Sequence, residues 1–555
     1  MNSVGLRLDE QGYFSLEGKR FFPVGVNYWP ASCGVEMWAR WPAGEIQHDL
    51  DILARLGLNC VRFFLRWQDF EPVASIYREI MFTRLAQFLQ WCRERNLFAQ
   101  PSLFVGWMSG GIFFPNFHEK ANLFTDAFLT VRASAFARRA AQVIAPYHET
   151  LLGIDQGNEL CCLPESSAAA PADVIRWCKL INESIREVYP DALIVSGNEQ
   201  NQVNNDTGWR LGQMPGTDYY AMHGYPVPAW HSLPFDGMTD PLAQSLLPAY
   251  VQIARQFGPV LVQEFGTIAT FGAAQQEAYL RGMLPACWEA GANGFLWWCL
   301  KDITAGVYPY TTNHFESTLG LLDEREQVKP GLGYFLEFCR SLPEREIPDL
   351  CASHTAIYLP KEYYPRDNIA STGQHPRQFS RGLVIARHLL AQLGIAARYV
   401  RGDIAIDPCL ETIIVPGIFL RPDEAARLLE WIRAGGKLIL TGPEWRNWGS
   451  IYLQLLGSAP VDYRPAHVSQ VDLFGQIWEF LDFPQGVQVE VTPVTAEVLA
   501  WDGRGMPMVL CNKVDKGCVV YALPMVEETI ARRSDDREYR DRWARFYAGM
   551  LAYPG

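Results

Sequence analysis

The stretch that decides the fold is Leu151-Leu152-Gly153-Ile154-Asp155-Gln156-Gly157-Asn158-Glu159, an apolar run that ends in polar residues and glycine. A second stretch, Pro259-Val260-Leu261-Val262-Gln263-Glu264-Phe265-Gly266, has the same form. Short apolar runs that end on a functional side chain fit parallel strands covered on both faces, with their C-terminal ends open to a site. Working outward, six more runs qualify: Pro23–Asn27, Cys60–Phe64, Phe98–Leu103, Ala192–Ser196, Tyr219–His223 and Gly294–Trp298. Between them lie amphipathic stretches such as Ile46–Gly57, where Leu50, Leu53 and Leu56 share a helical face and Gly57 supplies the stop. Eight strand–helix units close a barrel, so the sequence predicts a (β/α)8 TIM barrel over residues 1–342.

Past Pro343 the alternation restarts. Thr355–Leu359, Thr412–Pro416 and Lys437–Leu440 read as strands, with helical patterns at Gly382–Leu390 and Asp423–Ile432 between them. This predicts a second α/β domain over residues 343–555, an open, doubly wound, flavodoxin-like sheet. A β-rich insertion is expected near residues 465–505, and a closing helix over Arg540–Leu551.

The chain has 555 residues, more than one hydrophobic core usually supports. A hydrophobic fraction of 49% with 20% charged residues marks it as globular, and the net charge of -13 leaves no basic stripe for nucleic acid. No apolar run approaches the roughly 20 residues of a membrane span, and Met1–Arg7 lacks the basic start and apolar core of a signal peptide. The thirteen cysteines are scattered, and neither Cys161-Cys162 nor any CxxC pair has the spacing of a zinc site or redox centre. Reduced, mostly buried thiols and a cytoplasmic location are therefore expected. Aromatic residues make up 13% of the chain, eighteen of them Trp, and their faces suit the apolar faces of sugar rings.

Two carboxylates at the ends of different barrel strands are expected to converge over one mouth, which would be the geometry of glycoside hydrolysis. The spacing of 264 − 159 = 105 residues, three strands, permits this. Glu159 is expected as acid/base and Glu264 as nucleophile. Asn158 is expected to bond the sugar 2-hydroxyl, and Arg62 to keep Glu264 ionised. Gly197-Asn198-Glu199 repeats Gly157-Asn158-Glu159 at the end of the fifth strand, but the strand count favours Glu159. In Met222-His223-Gly224-Tyr225-Pro226, alternation puts His223 and Tyr225 on one face, so Tyr225 is expected to donate to Glu264 and His223 to meet a substrate hydroxyl. Of Trp297 and Trp298 only one points inward, and Trp298 is the expected floor for the sugar. Trp29, Trp67 and Trp107 are further candidates for sugar contact. Trp107 lies in the long aromatic loop Val105–Phe124, expected as a wall of the pocket.

In this order, Arg62, Asn158-Glu159, His223-x-Tyr225, Glu264 and Trp298 resemble the retaining clan A barrel glycosidases, most closely glycoside hydrolase family five, of cellulases and mannanases. The resemblance covers residues 15–340. It implies double displacement on an equatorial β-glycoside, without metal or organic cofactor. Near the end of strand three that family usually offers a histidine, whereas this chain reads Leu103-Phe104-Val105-Gly106-Trp107. The second domain resembles the class I glutamine-amidotransferase-like module that follows the barrel in some β-galactosidases and builds trimers there. The turn Leu440-Thr441-Gly442-Pro443-Glu444 has no nucleophilic cysteine, and Cys351 and Cys409 are not on such an elbow, so a non-catalytic module is implied.

The expected activity is that of an exo-acting β-glycosidase on imported oligosaccharides, with β-mannoside ahead of β-galactoside and β-glucoside. Exo action is expected because polymers do not enter cells. Endo-β-mannanase or cellulase action and a catalytically silent sugar-binding protein are the alternatives. A homo-oligomer, in trimeric form by resemblance, is the expected assembly, with no nucleic-acid or membrane partner.

Overall fold

The computed structural model describes residues 5–204, 208–268, 272–360, 376–417, 420–442, 449–465, 469–480 and 487–554. Contacts divide the chain into two compact units, Met1–Val227 with Tyr250–Pro348, and Pro228–Ala249 with Asp349–Gly555. Among the described residues no helix is long and apolar enough to cross a membrane.

The first unit is built on a closed barrel of eight parallel strands: β1 (Val24–Tyr28), β2 (Cys60–Phe64), β3 (Phe98–Val105), β4 (Ile154–Asn158), β5 (Ile194–Gly197), β6 (Tyr219–Gly224), β7 (Val260–Phe265) and β8 (Ala292–Trp297). Each strand pairs with its neighbour in sequence, and β8 closes on β1. All eight runs read from the sequence are these strands, and every residue in them is buried. Burial on both faces explains why they read as apolar runs without alternation.

The N-terminal end of the barrel is plugged. Strands Arg7–Leu8, Phe14–Leu16 and Lys19–Arg20 form an antiparallel sheet, and Leu6 and Phe14 bury their side chains against Cys60, Phe98, Leu152, Val195, Tyr219, Leu261 and Leu296. An apolar plug at the strand starts leaves the C-terminal mouth as the open end. Higher in the barrel the interior turns polar: Asn27, Arg62, Gln100, Asp155 and Gln263 are all completely buried. Such a layer persists only when its hydrogen bonds are made internally.

The second unit contains a seven-stranded sheet of β9 (Thr355–Leu359), β10 (Ala397–Arg401), β11 (Thr412–Pro416), β12 (Lys437–Thr441), β13 (Glu497–Trp501), β14 (Pro507–Val514) and β15 (Gly517–Ala522), in the order β10-β9-β11-β12-β15-β14-β13. The first five strands in that order are parallel, and β14 runs opposite to its two neighbours, pairing antiparallel with both β15 and β13. The sheet is therefore mixed rather than wholly parallel. The reason is the short β14–β15 hairpin, which has no room for a crossover helix. Two further ribbons, Ser458–Pro465 with Val487–Pro493 and Ser469–Leu473 with Gln476–Phe480, supply the β-rich segment. The closing helix runs over Arg537–Ala552. Pro443 and Glu444 of the turn after β12 lie outside the described residues, as do 466–468 and 481–486 of the β-rich segment.

Gly25 marks where the barrel tolerates no side chain. A Cβ there would lie 1.9 Å from the carbonyl oxygen of Cys60 on the paired strand β2. Backbone, not a movable side chain, is the obstacle, so Gly25→Ala is expected to destabilise the protein by about 1–3 kcal/mol through overpacking. The midpoint of urea unfolding measures this, and an unchanged midpoint would contradict so close an approach of β1 and β2.

Candidate active site

Arg62, on β2, is the centre of the mouth. Its guanidinium is fully buried and makes five hydrogen bonds: Nε and Nη2 to Asp155 Oδ2 at 3.0 and 2.7 Å, Nη2 to Asn158 Oδ1 at 2.8 Å, and Nη1 to Asn27 Oδ1 at 3.0 Å and Glu264 Oε2 at 3.2 Å. One side chain thus ties β1, β4 and β7 to β2. Its face lies 4.6 Å from the centre of the Phe64 ring.

Asp155 fits because Gly197 on the adjacent β5 has no side chain. A Cβ there would sit 2.5 Å from Asp155 Oδ2, whereas the Gly197 N–H donates to Asp155 Oδ1 at 2.8 Å. Asp155 within β4 and Asn158 at its end both accept from Arg62, so the same run that leads to Glu159 brings the partners of Arg62. Glu159 itself takes a left-handed backbone, φ 50° and ψ 40°, a strained conformation for a residue other than glycine.

Glu264 accepts from Tyr225 Oη at 2.8 Å and from Arg62, as the sequence led one to expect. His223 differs from expectation, because both its ring nitrogens are spent on protein partners. Nδ1 lies 2.9 Å from Glu159 Oε1, and Nε2 lies 3.0 Å from Gln263 Oε1. The cause is a bulge: Met222 pairs with Val262 but His223 pairs with Glu264, so Gln263 is an extra residue that turns into the barrel beside its neighbour.

That bulge fixes a proton. The Gln263 amide nitrogen donates to Gln100 Oε1 at 2.9 Å and points at Asp155 Oδ2, 3.4 Å away, which can only accept. Gln263 Oε1 must then accept from His223, placing the imidazole proton on Nε2. A neutral ring offers Nδ1 as an acceptor, and its 2.9 Å bond to Glu159 forms when Glu159 carries a proton. Burial lowers the pKa of His223 against the pull of Glu264, which keeps the ring neutral. Burial also pushes Glu159 up to about 7, opposed by Arg62. Glu264 is raised by burial as well and by the nearby Glu159, while Arg62 and the Tyr225 hydroxyl pull it down. The nearest ligand atoms of Glu159, His223 and Glu264 all lie within 4.8 Å of one another.

The aromatic candidates separate. Trp298 sits at the mouth, edge-on to Phe64 at 5.8 Å, and donates Nε1–H to Glu316 Oε2 at 3.0 Å. Trp297 points away and packs on Phe265 and Phe335. Trp107 is half-buried and its carbonyl accepts from Asn158 Nδ2 at 2.7 Å, so one N–H of that amide remains for a ligand. Trp29 lies one layer back, stacked on Phe64 and donating to Met108 Sδ. Trp67 is outside the constellation. Its ring packs among Phe104, Phe117 and Phe136, and its N–H is spent on Glu71.

Reading the sequence did not single out Asn27, Gln100, Asp155, Gln263 or Glu316. The first four were legible only as polar interruptions in apolar strands. Glu316 comes from a 3-10 turn, His314–Thr318, in the connection after β8. It is buried, and burial pushes it up to about 7 against the hydrogen bond from Trp298, with Glu264 and Glu159 adding to the rise.

No family model matches the chain, and no curated protein matches it. Among solved structures, the exo-β-1,4-mannosidase of Opitutaceae bacterium strain TAV5 is 46% identical over 98% of this chain and 99% of its own, with a TM-score of 0.94. The chain belongs to glycoside hydrolase family five. A GH5_18 protein of Streptomyces cattleya, solved as a variant with Manβ1-4GlcNAc, shares the fold with this hydrolase at 21% identity, covering 71% of this chain and 99% of that one, TM-score 0.61. The cold-adapted β-galactosidase of Rahnella sp. R3 shares it at 13% identity over 99% of this chain and 90% of its own, TM-score 0.70.

In this hydrolase Arg62 offers a planar fork that lysine cannot reproduce. Arg62→Lys is expected to lower kcat/KM on the order of 100-fold, as loss of a site donor does. Arg62→Ala is expected to cost about 3–5 kcal/mol of stability by stranding Asp155. A lysine variant with wild-type kcat/KM would remove Arg62 from the active site.

Proposed function

We propose that this hydrolase is a retaining exo-β-1,4-mannosidase in which Glu159 is the acid/base and Glu264 the nucleophile. The observation that carries the reading is the approach of the two carboxylates, with their nearest oxygens within 4.8 Å. Retaining glycosidases hold the pair about 5–5.5 Å apart, while inverting ones leave about 6.5–9.5 Å for a water molecule. The mannoside preference and exo action rest on the likeness to the Opitutaceae enzyme.

In the first half-reaction Glu264 attacks the anomeric carbon while Glu159 gives its proton to the departing glycosidic oxygen. Arg62 and Tyr225 hold Glu264 as the anion in line with that carbon and take up the change in its charge as the ester forms. Glu159, now ionised, accepts a proton from water, and the hydroxide attacks the same carbon to release the sugar. Asn158 retains one N–H for the 2-hydroxyl, and Trp298 with Trp107 supplies apolar surface for the ring. Glu316, held by the Trp298 N–H, is placed to accept from hydroxyls of the terminal sugar.

The second unit is proposed to be non-catalytic and flavodoxin-like, since its five parallel strands run in the order 2-1-3-4-5. A trimer remains the proposed assembly, and light scattering at the monomer mass would refute it. A cytoplasmic location suits thirteen cysteines that form no disulfide, ten of them buried.

The test is a screen of nitrophenyl β-mannoside, β-galactoside and β-glucoside against wild type and three variants. β-Mannoside should be cleaved fastest. Glu159→Gln should lose on the order of 10²–10⁴-fold in kcat and Glu264→Gln at least as much, while Glu199→Gln retains turnover. Preference for another sugar would sink the mannosidase reading, and a dead Glu199→Gln would move the acid to β5.

The pH profile offers a separate check. Because burial raises Glu159, its acid form prevails below about pH 7 and is lost as pH rises through that value. The kcat/KM of wild type should fall across the same range, and a profile flat through neutrality would contradict Glu159 as the acid.

A further inference from the structure

Cys161, Cys162 and Glu199 take no part in the chemistry above, yet the fold gathers them. Cys161 and Cys162 lie in the 3-10 turn Leu160–Cys162 directly after Glu159, and Glu199 follows β5. The two turns are tied by backbone bonds: Glu159 N–H donates to the Gly197 carbonyl at 2.6 Å, and Cys161 N–H to Asn198 Oδ1 at 3.0 Å. As a result Glu199 Oε1 lies 3.2 Å from Cys162 Sγ and 3.6 Å from Cys161 Sγ, with all three ligand atoms inside 4.8 Å of one another.

We propose that Cys161, Cys162 and Glu199 form a binding site for a thiophilic divalent cation of the Zn²⁺ or Cd²⁺ class, and that occupancy inhibits the hydrolase. Zn–S bonds of about 2.3 Å and Zn–O bonds of about 2.0–2.2 Å at tetrahedral angles imply S···O separations of about 3.5 Å and S···S of about 3.8 Å. The two S···O spacings, 3.2 and 3.6 Å, are close to this, and the two sulfurs lie within 4.8 Å of each other. Two sulfurs and one carboxylate favour Zn²⁺ or Cd²⁺ over Mg²⁺ or Ca²⁺, which take oxygen ligands. Three ligands leave a position open, and half-buried Cys162 gives a way in, whereas Cys161 and Glu199 are buried.

The surroundings favour a cation. Among the described residues, the charged groups that act most on the two thiols are the carboxylates of Glu159 and Glu199. The groups that favour the anion of buried Glu199 are the two thiols and the Asn201 N–H, none of them cationic, and a bound dication would relieve the cost of burying that charge. It would also place a double positive charge on the turn that carries Glu159, which is why binding should stop turnover. Sequence spacing hid this site because its third ligand lies 37 residues past Cys162.

Cadmium tests it without relying on activity alone, because thiolate–Cd²⁺ charge transfer absorbs in the ultraviolet. Titrating the wild-type chain with CdCl₂ should raise that band to one equivalent, with nitrophenyl glycoside hydrolysis falling in parallel. EDTA should reverse both. In Cys162→Ser and, separately, Glu199→Gln, the band should need at least tenfold more Cd²⁺, and Cys162→Ser should stay active at concentrations that silence wild type. Absence of the band at one equivalent, a band without inhibition, or inhibition unchanged in Cys162→Ser would each overturn the proposal. The last outcome would assign the metal to the exposed thiols of Cys351 and Cys409 or to the Glu159–His223–Glu264 group.

Discussion

A fully buried guanidinium in the barrel's interior sets the terms for everything above it. Arg62 reaches from β2 to Asn27 on β1, to Asp155 and Asn158 on β4, and to Glu264 on β7. Taking an arginine out of water is expensive unless every donor finds an acceptor, and here all three of its nitrogens do. The strands must therefore hold their stagger, since a slip of one residue would turn Asp155 or Glu264 to the other face. The glycine at 197 and the bulge at Gln263 are backbone consequences of the same demand.

From this frame the two glutamates acquire different characters. Both are buried, and burial alone would leave both protonated. Glu264 receives donors from Arg62 and Tyr225, which favour its anion. Glu159 faces an imidazole whose proton is committed to Gln263, so its stable bond to His223 is one in which it donates. One residue is prepared to attack and the other to give up a proton, and the distinction is set by neighbours rather than by residue type.

Much of this was legible in the chain. Parallel strands buried on both faces read as short apolar runs, so all eight were found, and the polar residues that end β4 and β7 identified the mouth. Alternation correctly sent Trp298 to the mouth and Trp297 to the helices, and paired Tyr225 with Glu264. It failed where alternation itself fails: the bulge beside His223 brought Gln263 inward and used both imidazole nitrogens. Glu316 was invisible because a long connection after β8 has no period to read. Trp67 was a candidate for sugar contact, but it opens the short helix Trp67–Phe70, and its ring packs among Phe104, Phe117 and Phe136. In the second unit the antiparallel edge escaped notice, because hairpin strands and crossover strands share the same composition.

The central claim is that the two glutamates stand at a separation suited to double displacement. Proton NMR of the first sugar released from nitrophenyl β-mannoside, recorded before mutarotation, tests it most directly. The account predicts the β-anomer, formed by two inversions at one carbon. Initial release of the α-anomer would mean a single displacement by water and would contradict the role of Glu264 as a nucleophile.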